Sequence, residues 1–267
     1  MRRGRGSSAG TEARMSLWKR VKWSAGERLA RNWTPAARRS RATGPIVSFT
    51  FDDFPKSAVS NGARILEAKG VRGSYYAAGC FVGLRDEGLD YYDREDLSAL
   101  TEAGHEIGCH TFGHLRLPFT QDVEIIADLA RNRDFINDVL DDYRMSTFAY
   151  PFGHVDVWKK ALIGKEFPVS RGIFPGVNRG RVDFQQLKAI PMERRSFGEE
   201  AGLRALDEAV ATNGWVVFFV HDVSDDPSPY GCTADTLARM VDAALSRGMA
   251  ALPVREAAEQ VRFGQRM

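Results

Sequence analysis

The sequence predicts an α/β fold, a distorted (β/α)7-8 barrel in a single domain that carries a basic N-terminal helical arm. After residue 45, short apolar segments alternate with segments of helical periodicity as far as the end of the chain. The apolar segments are continuous, which is typical of parallel strands buried on both faces. Seven or eight such units in about 220 residues fit a barrel, and a length of 267 residues is usual for an α/β barrel.

The strand and helix predictions follow from this alternation. Strands are predicted at residues 46–51, 73–78, 105–110, 147–150, 169–172, 188–191, 215–220 and 249–252. Helices are predicted at residues 58–69, 94–103, 121–143, 156–162, 200–213, 233–246 and 254–261. Gly70, Gly104 and Gly248 follow three of these helices and favour their termination.

The first 41 residues form a basic arm with twelve Lys or Arg residues and two acids, whereas the rest of the chain has 25 basic and 33 acidic residues. Apolar residues recur at helical spacing over residues 15–30, which predicts a basic amphipathic helix. Such a helix either makes peripheral membrane contact through residues 15–31 or packs its tryptophan face on the domain. Residues 38–44 are predicted to be a linker. No nucleic-acid partner is expected, because the arm has no binding motif.

Cysteine usage favours a cytoplasmic location, with the inner face of the membrane as the alternative position. The three cysteines, Cys80, Cys109 and Cys232, are widely spaced and odd in number, which is typical of reduced thiols. Residues 17–23 are interrupted by charge where a signal peptide needs an apolar region. No stretch reaches the roughly 18 apolar residues of a membrane span. The oligomeric state is not predicted.

Two adjacent carboxylates, Asp52 and Asp53, end the first predicted strand. Buried acids are costly unless they are paired or bound to a metal. The carboxyl ends of parallel strands meet at one rim of a barrel, where α/β barrels carry their active sites. Other polar or turn-forming residues also follow predicted strands, namely His110, Tyr150, Pro151, Phe152 and His221. The sequence therefore predicts a metal site or an acid–base site at this rim.

His110 and His114 are four residues apart, so that on a helical turn or a tight loop both imidazoles can bind one ion. Two imidazoles and one carboxylate are typical of catalytic zinc, but the same set also describes non-haem iron oxygenases. A second carboxylate favours hydrolysis, because it can take a proton from water. His221 is the candidate general acid, with a hydrogen-bonded structural histidine as the alternative.

Four motifs occur in order: Thr50-Phe51-Asp52-Asp53, His110-Thr111-Phe112-Gly113-His114, Tyr150-Pro151-Phe152-Gly153 and Phe219-Val220-His221. Over residues 45–255, approximately, they resemble the motifs of the polysaccharide deacetylase family. That family is also called carbohydrate esterase family 4 and includes chitooligosaccharide deacetylases. The resemblance implies a distorted barrel and a metal-dependent hydrolase that removes N-acetyl or O-acetyl groups from a sugar. We expect a carbohydrate or a lipid-linked sugar as the substrate, with N-acetyl favoured over O-acetyl.

The resemblance also implies a role for each matched residue. Asp52 would be the general base and His221 the general acid. Asp53, His110 and His114 would hold a divalent metal, usually Zn2+. The backbone N–H of Phe152 would bind the oxyanion. The carbohydrate substrate is expected to contact Tyr150, Pro151, Arg171 and Tyr230.

Two positions depart from the family pattern. Phe54-Pro55 stands where the family has glycine, and Ala149 stands where it has the arginine that orients the base; Arg171 is the candidate replacement. No acidic partner of His221 is identified, since Asp222 is expected to point away and Asp183 has no fixed place in the motif order.

Residues 1–41 are therefore predicted to be the basic arm and residues 42–267 a polysaccharide deacetylase-like catalytic domain. Two other functions stay open. One is an amidohydrolase acting on a small non-sugar amide, and retention of both His110 and His114 argues against it. The other is a non-catalytic glycan-binding member of the fold, which the missing arginine favours and an intact Asp52 disfavours.

Overall fold

The computed structural model describes residues 26–86 and 88–264. The strands are β1 Ala37–Arg39, β2 Ile46–Asp52, β3 Ser74–Ala77, β4 Arg85–Asp86, β5 Leu89–Asp90, β6 Glu106–Cys109, β7 Thr147–Ala149, β8 Val169–Arg171, β9 Arg181–Asp183, β10 Ile190–Pro191, β11 Trp215–Val220 and β12 Ala250–Ala251. The helices are α1 Arg64–Ala68, α2 Arg94–Glu102, α3 Asp122–Val139, α4 Val157–Glu166, α5 Glu199–Thr212, α6 Ala234–Ser246 and α7 Val254–Phe263. A π-helical segment, Ala58–Ala63, leads into α1.

Seven parallel strands form one curled sheet in the order β10-β11-β2-β3-β6-β7-β8, and β12 pairs with the start of β2. Helices α1 to α6 pack outside this sheet. This architecture confirms the prediction of a distorted (β/α)7-8 barrel. Most strand and helix predictions agree with the structure to within a few residues; β12 is shorter than predicted, and α4 continues to Glu166.

The central strand β2 is buried along its whole length, and its side chains alternate between two environments. Val47, Phe49 and Phe51 belong to the large hydrophobic core between sheet and helices. Ser48 and Thr50 face the barrel interior, where Ser48 Oγ accepts a hydrogen bond from Trp215 Nε1 at 2.9 Å. Asp52 continues this interior row, so the alternation places its carboxylate inside the barrel at the rim.

The opposite end of the barrel is closed by α7. Its apolar residues belong to a second core cluster with interior side chains of β2 and β11. The first N–H groups of α7 donate to Ser74 Oγ and to the buried Glu106 carboxylate, at 2.8 and 3.0 Å, at the starts of β3 and β6. This end is fixed by polar contacts at the strand starts, which leaves the strand ends free to carry the site.

The predicted linker at residues 38–44 is wrong for its first residues. Arg38 and Arg39 belong to β1, which pairs antiparallel with β9. Three residues with no periodicity give no strand signal, and only the partner strand fixes them. The hairpin of β4 and β5 escaped prediction for the same reason.

Part of the arm is fixed to the domain by a buried lysine. Residues 26–32 are helical. Lys160 Nζ donates to Ala30 O at 2.7 Å and to Trp33 O at 2.8 Å, and it pairs with Asp183. A cation at the C-terminal carbonyls of a helix is favourable. The rest of the predicted amphipathic helix, residues 15–25, lies outside the described residues. Within the described chain, no helix is both long and apolar enough to span a bilayer.

Candidate metal and active site

Asp53, His110 and His114 come together at the rim of the barrel. One ligand atom from each lies within 4.8 Å of the others. His110 Nε2 is 3.6 Å from Asp53 Oδ1, and His114 Nε2 is 3.4 Å from Asp53 Oδ2. His110 and Asp53 are buried, and the side chain of His114 is 15% exposed. Three ligand atoms therefore converge, with one side open to the rim.

The hydrogen bonds around these side chains fit a divalent cation. His110 Nδ1 is 2.8 Å from the carbonyl oxygen of Ala149. Because a carbonyl only accepts, Nδ1 carries the proton and Nε2 presents its lone pair towards Asp53. Asp53 Oδ1 is buried and receives no hydrogen bond from the described residues. The lone pairs of His110 Nε2 and Asp53 Oδ1 face each other, and a cation between them would remove their repulsion.

Burial disfavours the charged forms of all three side chains. Burial, reinforced by the Asp52 carboxylate, raises the pKa of Asp53 well above its usual range. Burial lowers the pKa of His110 to about 4 and that of His114 well below its usual range. The imidazoles are therefore neutral ligands at physiological pH. The carboxyl group lacks the positive partner that a bound cation supplies.

Backbone strain is concentrated in the loops of this site. The left-handed region of backbone space contains Asp53 (φ 54°), Thr111 (φ 60°), His114 (φ 50°) and Phe152 (φ 59°). Each such residue costs of order 1–3 kcal/mol and persists only where surrounding contacts enforce it. Strain of this kind clusters at functional sites, which supports the rim as the working end of the barrel.

Two anchors enforce these turns. Phe54, which stands where the family pattern has glycine, is fully buried and stacks on Tyr92 with ring centroids 4.2 Å apart. The loop after β6 is a tight loop rather than a helix, and Asp128 of α3 accepts hydrogen bonds from Phe112 N and Gly113 N. The departure at Phe54 therefore fixes the turn after Asp53 by packing instead of by backbone freedom.

Asp52 forms a buried ion pair with Arg171. Arg171 Nη2 donates to Asp52 Oδ1, and the guanidinium lies between the rings of Tyr76 and Phe219, at 5.2 and 5.0 Å from their centroids. Burial raises the pKa of Asp52, but the Arg171 charge, followed by His110 and His221, outweighs burial and leaves it below its usual value. Asp52 is thus held in its ionised form.

The position of Arg171 explains how Ala149 is tolerated. Ala149 of β7 and Arg171 of β8 are paired residues on neighbouring strands. Paired residues of adjacent parallel strands point to the same face of the sheet. Arg171 therefore delivers a guanidinium to Asp52 from one strand further round the barrel.

Sequence reasoning missed Glu193. Pro191 pairs with Phe219, and Glu193 and His221 each lie two residues further along their chain segments, so the register places them side by side. Glu193 is buried, and its Oε1 is 4.0 Å from His221 Nδ1. Arg195 Nε donates to the other oxygen of Glu193 at 2.7 Å. Only the β10–β11 register reveals this neighbour, since Glu193 belongs to no recognisable motif.

Neither of the other two acids considered for His221 faces it. Asp222 points away from His221, as expected, and accepts hydrogen bonds from Ser228 N and Oγ. Asp183 pairs with the buried Lys160 instead. Glu193 is the acidic group within reach of His221 Nδ1 among the described residues.

Three of the four predicted substrate contacts are buried in the structure, and the fourth is exposed. The Tyr150 side chain is buried, and its hydroxyl donates to Gln185 O at 3.0 Å. Pro151 is buried as well, and Arg171 is engaged by Asp52 beneath the surface. Residue order along the chain does not show which side of the backbone faces the cleft. Tyr230 is 43% exposed and lies beside His221, with ring centroids 5.5 Å apart.

The chain resembles known proteins in both sequence and fold. The family model described as polysaccharide deacetylase matches residues 39–164, which include Asp52, Asp53, His110 and His114. His221 lies beyond the matched segment. No curated protein sequence matches the chain.

Solved structures of carbohydrate esterase family 4 share the fold. The Xyl-CE4 domain of a multidomain xylanase from the hindgut metagenome of Trinervitermes trinervoides is 16% identical, with a TM-score of 0.58 over 82% of this chain and 91% of that one. An acetyl xylan esterase from Clostridium thermocellum, in complex with a cobalt ion, is 18% identical, with a TM-score of 0.56 over 79% and 89%. A pseudoenzyme of this family from Bacillus anthracis is 15% identical, with a TM-score of 0.58 over 86% and 69%. At these identities the likeness shows the fold. The family match and the shared fold agree with the resemblance of the ordered motifs to the polysaccharide deacetylase family.

Proposed function

We propose that this protein is a metal-dependent hydrolase that removes acetyl groups, N-acetyl rather than O-acetyl, from a carbohydrate or a lipid-linked sugar. The observation that carries the proposal is the convergence of the Asp53, His110 and His114 ligand atoms beside the ion pair of Asp52 and Arg171. A metal site that only stabilises the fold does not require an ionised carboxylate beside its ligands. A hydrolytic site needs one.

Asp53, His110 and His114 would hold the cation, and we propose Zn2+ because three protein ligands of these types with an open position suit it. A divalent cation at this place supplies Lewis acidity, which activates water and polarises an acyl oxygen. Asp52, kept ionised by Arg171, accepts the proton of the attacking water.

Two further groups would act on the acyl oxygen and on the leaving group. The backbone N–H of Phe152, which follows Pro151 and has a left-handed backbone conformation, would donate to the developing oxyanion. One such donor is typically worth about 10²–10³ in rate. His221 would protonate the departing amine, and the Glu193 carboxylate, 4.0 Å from its Nδ1, would stabilise the protonated ring. Tyr230 offers an exposed ring on which a sugar can stack.

The pseudoenzyme from Bacillus anthracis makes a non-catalytic member of the fold a second candidate. The missing arginine at Ala149 favoured that alternative in the sequence. The ion pair between Arg171 and Asp52 weakens it, because the base keeps a guanidinium partner. The buried thiols of Cys109 and Cys232 support our proposal of a cytoplasmic location, because neither forms a disulfide.

Acetate release tests the proposed function. Wild-type protein supplied with Zn2+ is expected to release acetate from at least one member of a panel of N-acetylated sugars and oligosaccharides. Turnover of O-acetylated sugars is expected to be slower. Wild-type protein that binds the cation but releases acetate from no N- or O-acetylated sugar would contradict a deacetylase and favour the non-catalytic alternative.

A further inference from the structure

The loop that carries both histidine ligands has a strained backbone. It runs from His110, directly after β6, to His114, and both Thr111 (φ 60°) and His114 (φ 50°) have left-handed backbone conformations. Residues other than glycine keep such a conformation only where surrounding contacts enforce it. Contacts around the loop must therefore hold His114 in the position from which it reaches Asp53.

Asp128, in the second turn of α3, supplies contacts of this kind. Its Oδ1 accepts hydrogen bonds from Phe112 N at 2.6 Å and from Gly113 N at 3.1 Å, and its Oδ2 lies 3.1 Å from Gly113 N as well. Hydrogen bonds to a carboxylate are stronger than those between neutral groups. One side chain from outside the loop thus binds the two successive N–H groups at its centre.

The same part of the loop is also bound on its other side. Cys80 N donates to Phe112 O at 2.9 Å, and the Arg131 guanidinium lies 3.6 Å from the centre of the Phe112 ring. Within the loop, Leu115 N donates to Thr111 Oγ1 at 2.9 Å. This internal hydrogen bond closes the turn, whereas the contacts from outside fix the turn relative to the barrel.

The position of Asp128 is itself fixed by Asn132, one turn further along the same face of α3. The buried Asn132 side chain donates to Ala77 O, at the end of β3, at 2.9 Å and accepts from Gly79 N at 3.1 Å. Its amide nitrogen also lies 3.3 Å from Cys109 Sγ, in the last residue of β6. These contacts tie α3 to the strand ends that carry the site, so Asp128 binds the loop from a rigid support.

The two histidines differ in how much they depend on this support. His110 directly follows β6, and its ring is oriented by Ala149 O at 2.8 Å. His114 lies four residues further along, and its ring packs against those of Phe81 and Phe152, at centroid distances of 5.4 and 4.3 Å. Ring packing limits the tilt of the imidazole but does not set where the His114 backbone lies. A displaced loop would therefore move His114 more than His110.

We propose that Asp128 is a positioning residue of the metal site. By binding Phe112 N and Gly113 N, its carboxylate holds the strained loop in the conformation in which His114 and Asp53 face the same cation. Ligands that are already in position lose less conformational freedom when the cation binds, so the affinity for Zn2+ is higher. The inference rests on the metal site of the proposed function, and it does not depend on the removal of acetyl groups.

The affinity of the full chain for Zn2+, measured by competition with a chelator of known affinity, tests the proposal. Asp128→Ala removes both acceptor oxygens and is expected to raise the Kd for Zn2+ by about 10–100-fold, as substitutions next to metal ligands commonly do. Asp128→Asn keeps an oxygen in the place of Oδ1, which accepts from both N–H groups, so its Kd should rise by less. An unchanged Kd in Asp128→Ala, or equal increases in the two variants, would overturn the proposal.

Two further substitutions in α3 separate positioning from a loss of stability. Ile136→Ala opens a cavity in the core two turns from Asp128, and it should lower the urea midpoint of unfolding while leaving the Kd within about threefold of wild type. Asp138→Ala removes an exposed carboxylate that pairs with Arg94 at 2.7 Å, and it should leave both quantities near their wild-type values. If Ile136→Ala weakens Zn2+ binding as much as Asp128→Ala does, loosening of α3 explains the loss and the proposal fails.

The behaviour of wild type separates this proposal from the proposed function. Zn2+ binding that is weakened in Asp128→Ala, with no acetate release from any acetylated sugar by wild type, would contradict the deacetylase and leave the positioning role standing. Acetate release by wild type, with the same Kd for Zn2+ in Asp128→Ala, would do the reverse. Wild type that binds no Zn2+ would overturn both.

Discussion

Asp52→Asn is expected to lower kcat for acetate release by about 10²–10⁴-fold, the usual contribution of a general base. Asparagine keeps an oxygen that can accept the Arg171 hydrogen bond, but it cannot take a proton from water. The neighbouring ligand set is untouched, so bound metal should stay at the wild-type level. The measurements are kcat for a soluble N-acetylated oligosaccharide and metal content of the same preparation.

The matched control is Asp207→Asn, which removes an exposed carboxylate paired with Arg247 on the surface. Its kcat should stay within twofold of wild type, because surface pairs contribute little. If Asp52→Asn keeps kcat within tenfold of wild type, Asp52 is not the base. If it loses metal, Asp52 rather than Asp53 is a ligand.

Arg171→Met is expected to destabilise the protein by about 3–5 kcal/mol, because it leaves the buried Asp52 carboxylate without its cation. Methionine keeps much of the apolar contact with Tyr76 and Phe219. Urea unfolding monitored by circular dichroism measures the loss. A fall of less than 1 kcal/mol would show that the ion pair is not maintained in solution.

The same substitution is expected to move the acid limb of the pH–activity profile to higher pH. Burial raises the pKa of Asp52, and Arg171 is the largest of the influences that bring it below its usual value. A base is active only when ionised, so a lowered pKa keeps it active to low pH, and removing Arg171 restores the raising effect of burial. A profile of kcat/KM against pH measures this; an unchanged acid limb would contradict it.

An arginine on the neighbouring strand β7 should restore activity to a variant that lacks Arg171. Ala149 and Arg171 are paired across β7 and β8, and Ala149 stands where the family pattern has its arginine. The double variant Ala149→Arg, Arg171→Ala should regain part of the activity that Arg171→Met loses. No rescue, in a double variant that folds as shown by circular dichroism, would mean that only the β8 position can orient Asp52.

The sequence predicted what depends on local pattern. The continuous apolar segments predicted the barrel. The positions of the strand ends predicted that one rim carries Asp52, Asp53, His110 and His221. The spacing of His110 and His114 gave the candidate ligand set that the structure brings together. These features depend on residues close in the chain, so periodicity and motif spacing contain them.

Features that depend on long-range register were not predicted. Glu193 reaches His221 only because β10 pairs with β11, and β1 exists only because β9 lies beside it. The sequence likewise does not show that the Tyr150 hydroxyl donates a hydrogen bond to Gln185 O in the interior. The sequence predicts Arg171 as the replacement for the missing arginine, but it does not show the pairing of β7 with β8 that places Arg171 on the same face as Ala149.

The metal content of purified protein tests the central claim most directly. After dialysis against Zn2+ and gel filtration, mass spectrometry of the metal should find about one zinc ion per wild-type chain, as three convergent ligands predict. His114→Ala should fall to background while retaining its circular dichroism spectrum, and His105→Ala, which alters a histidine paired with Glu67 away from the site, should keep its zinc. Wild-type protein without bound divalent metal, or His114→Ala with a full equivalent, would contradict the account.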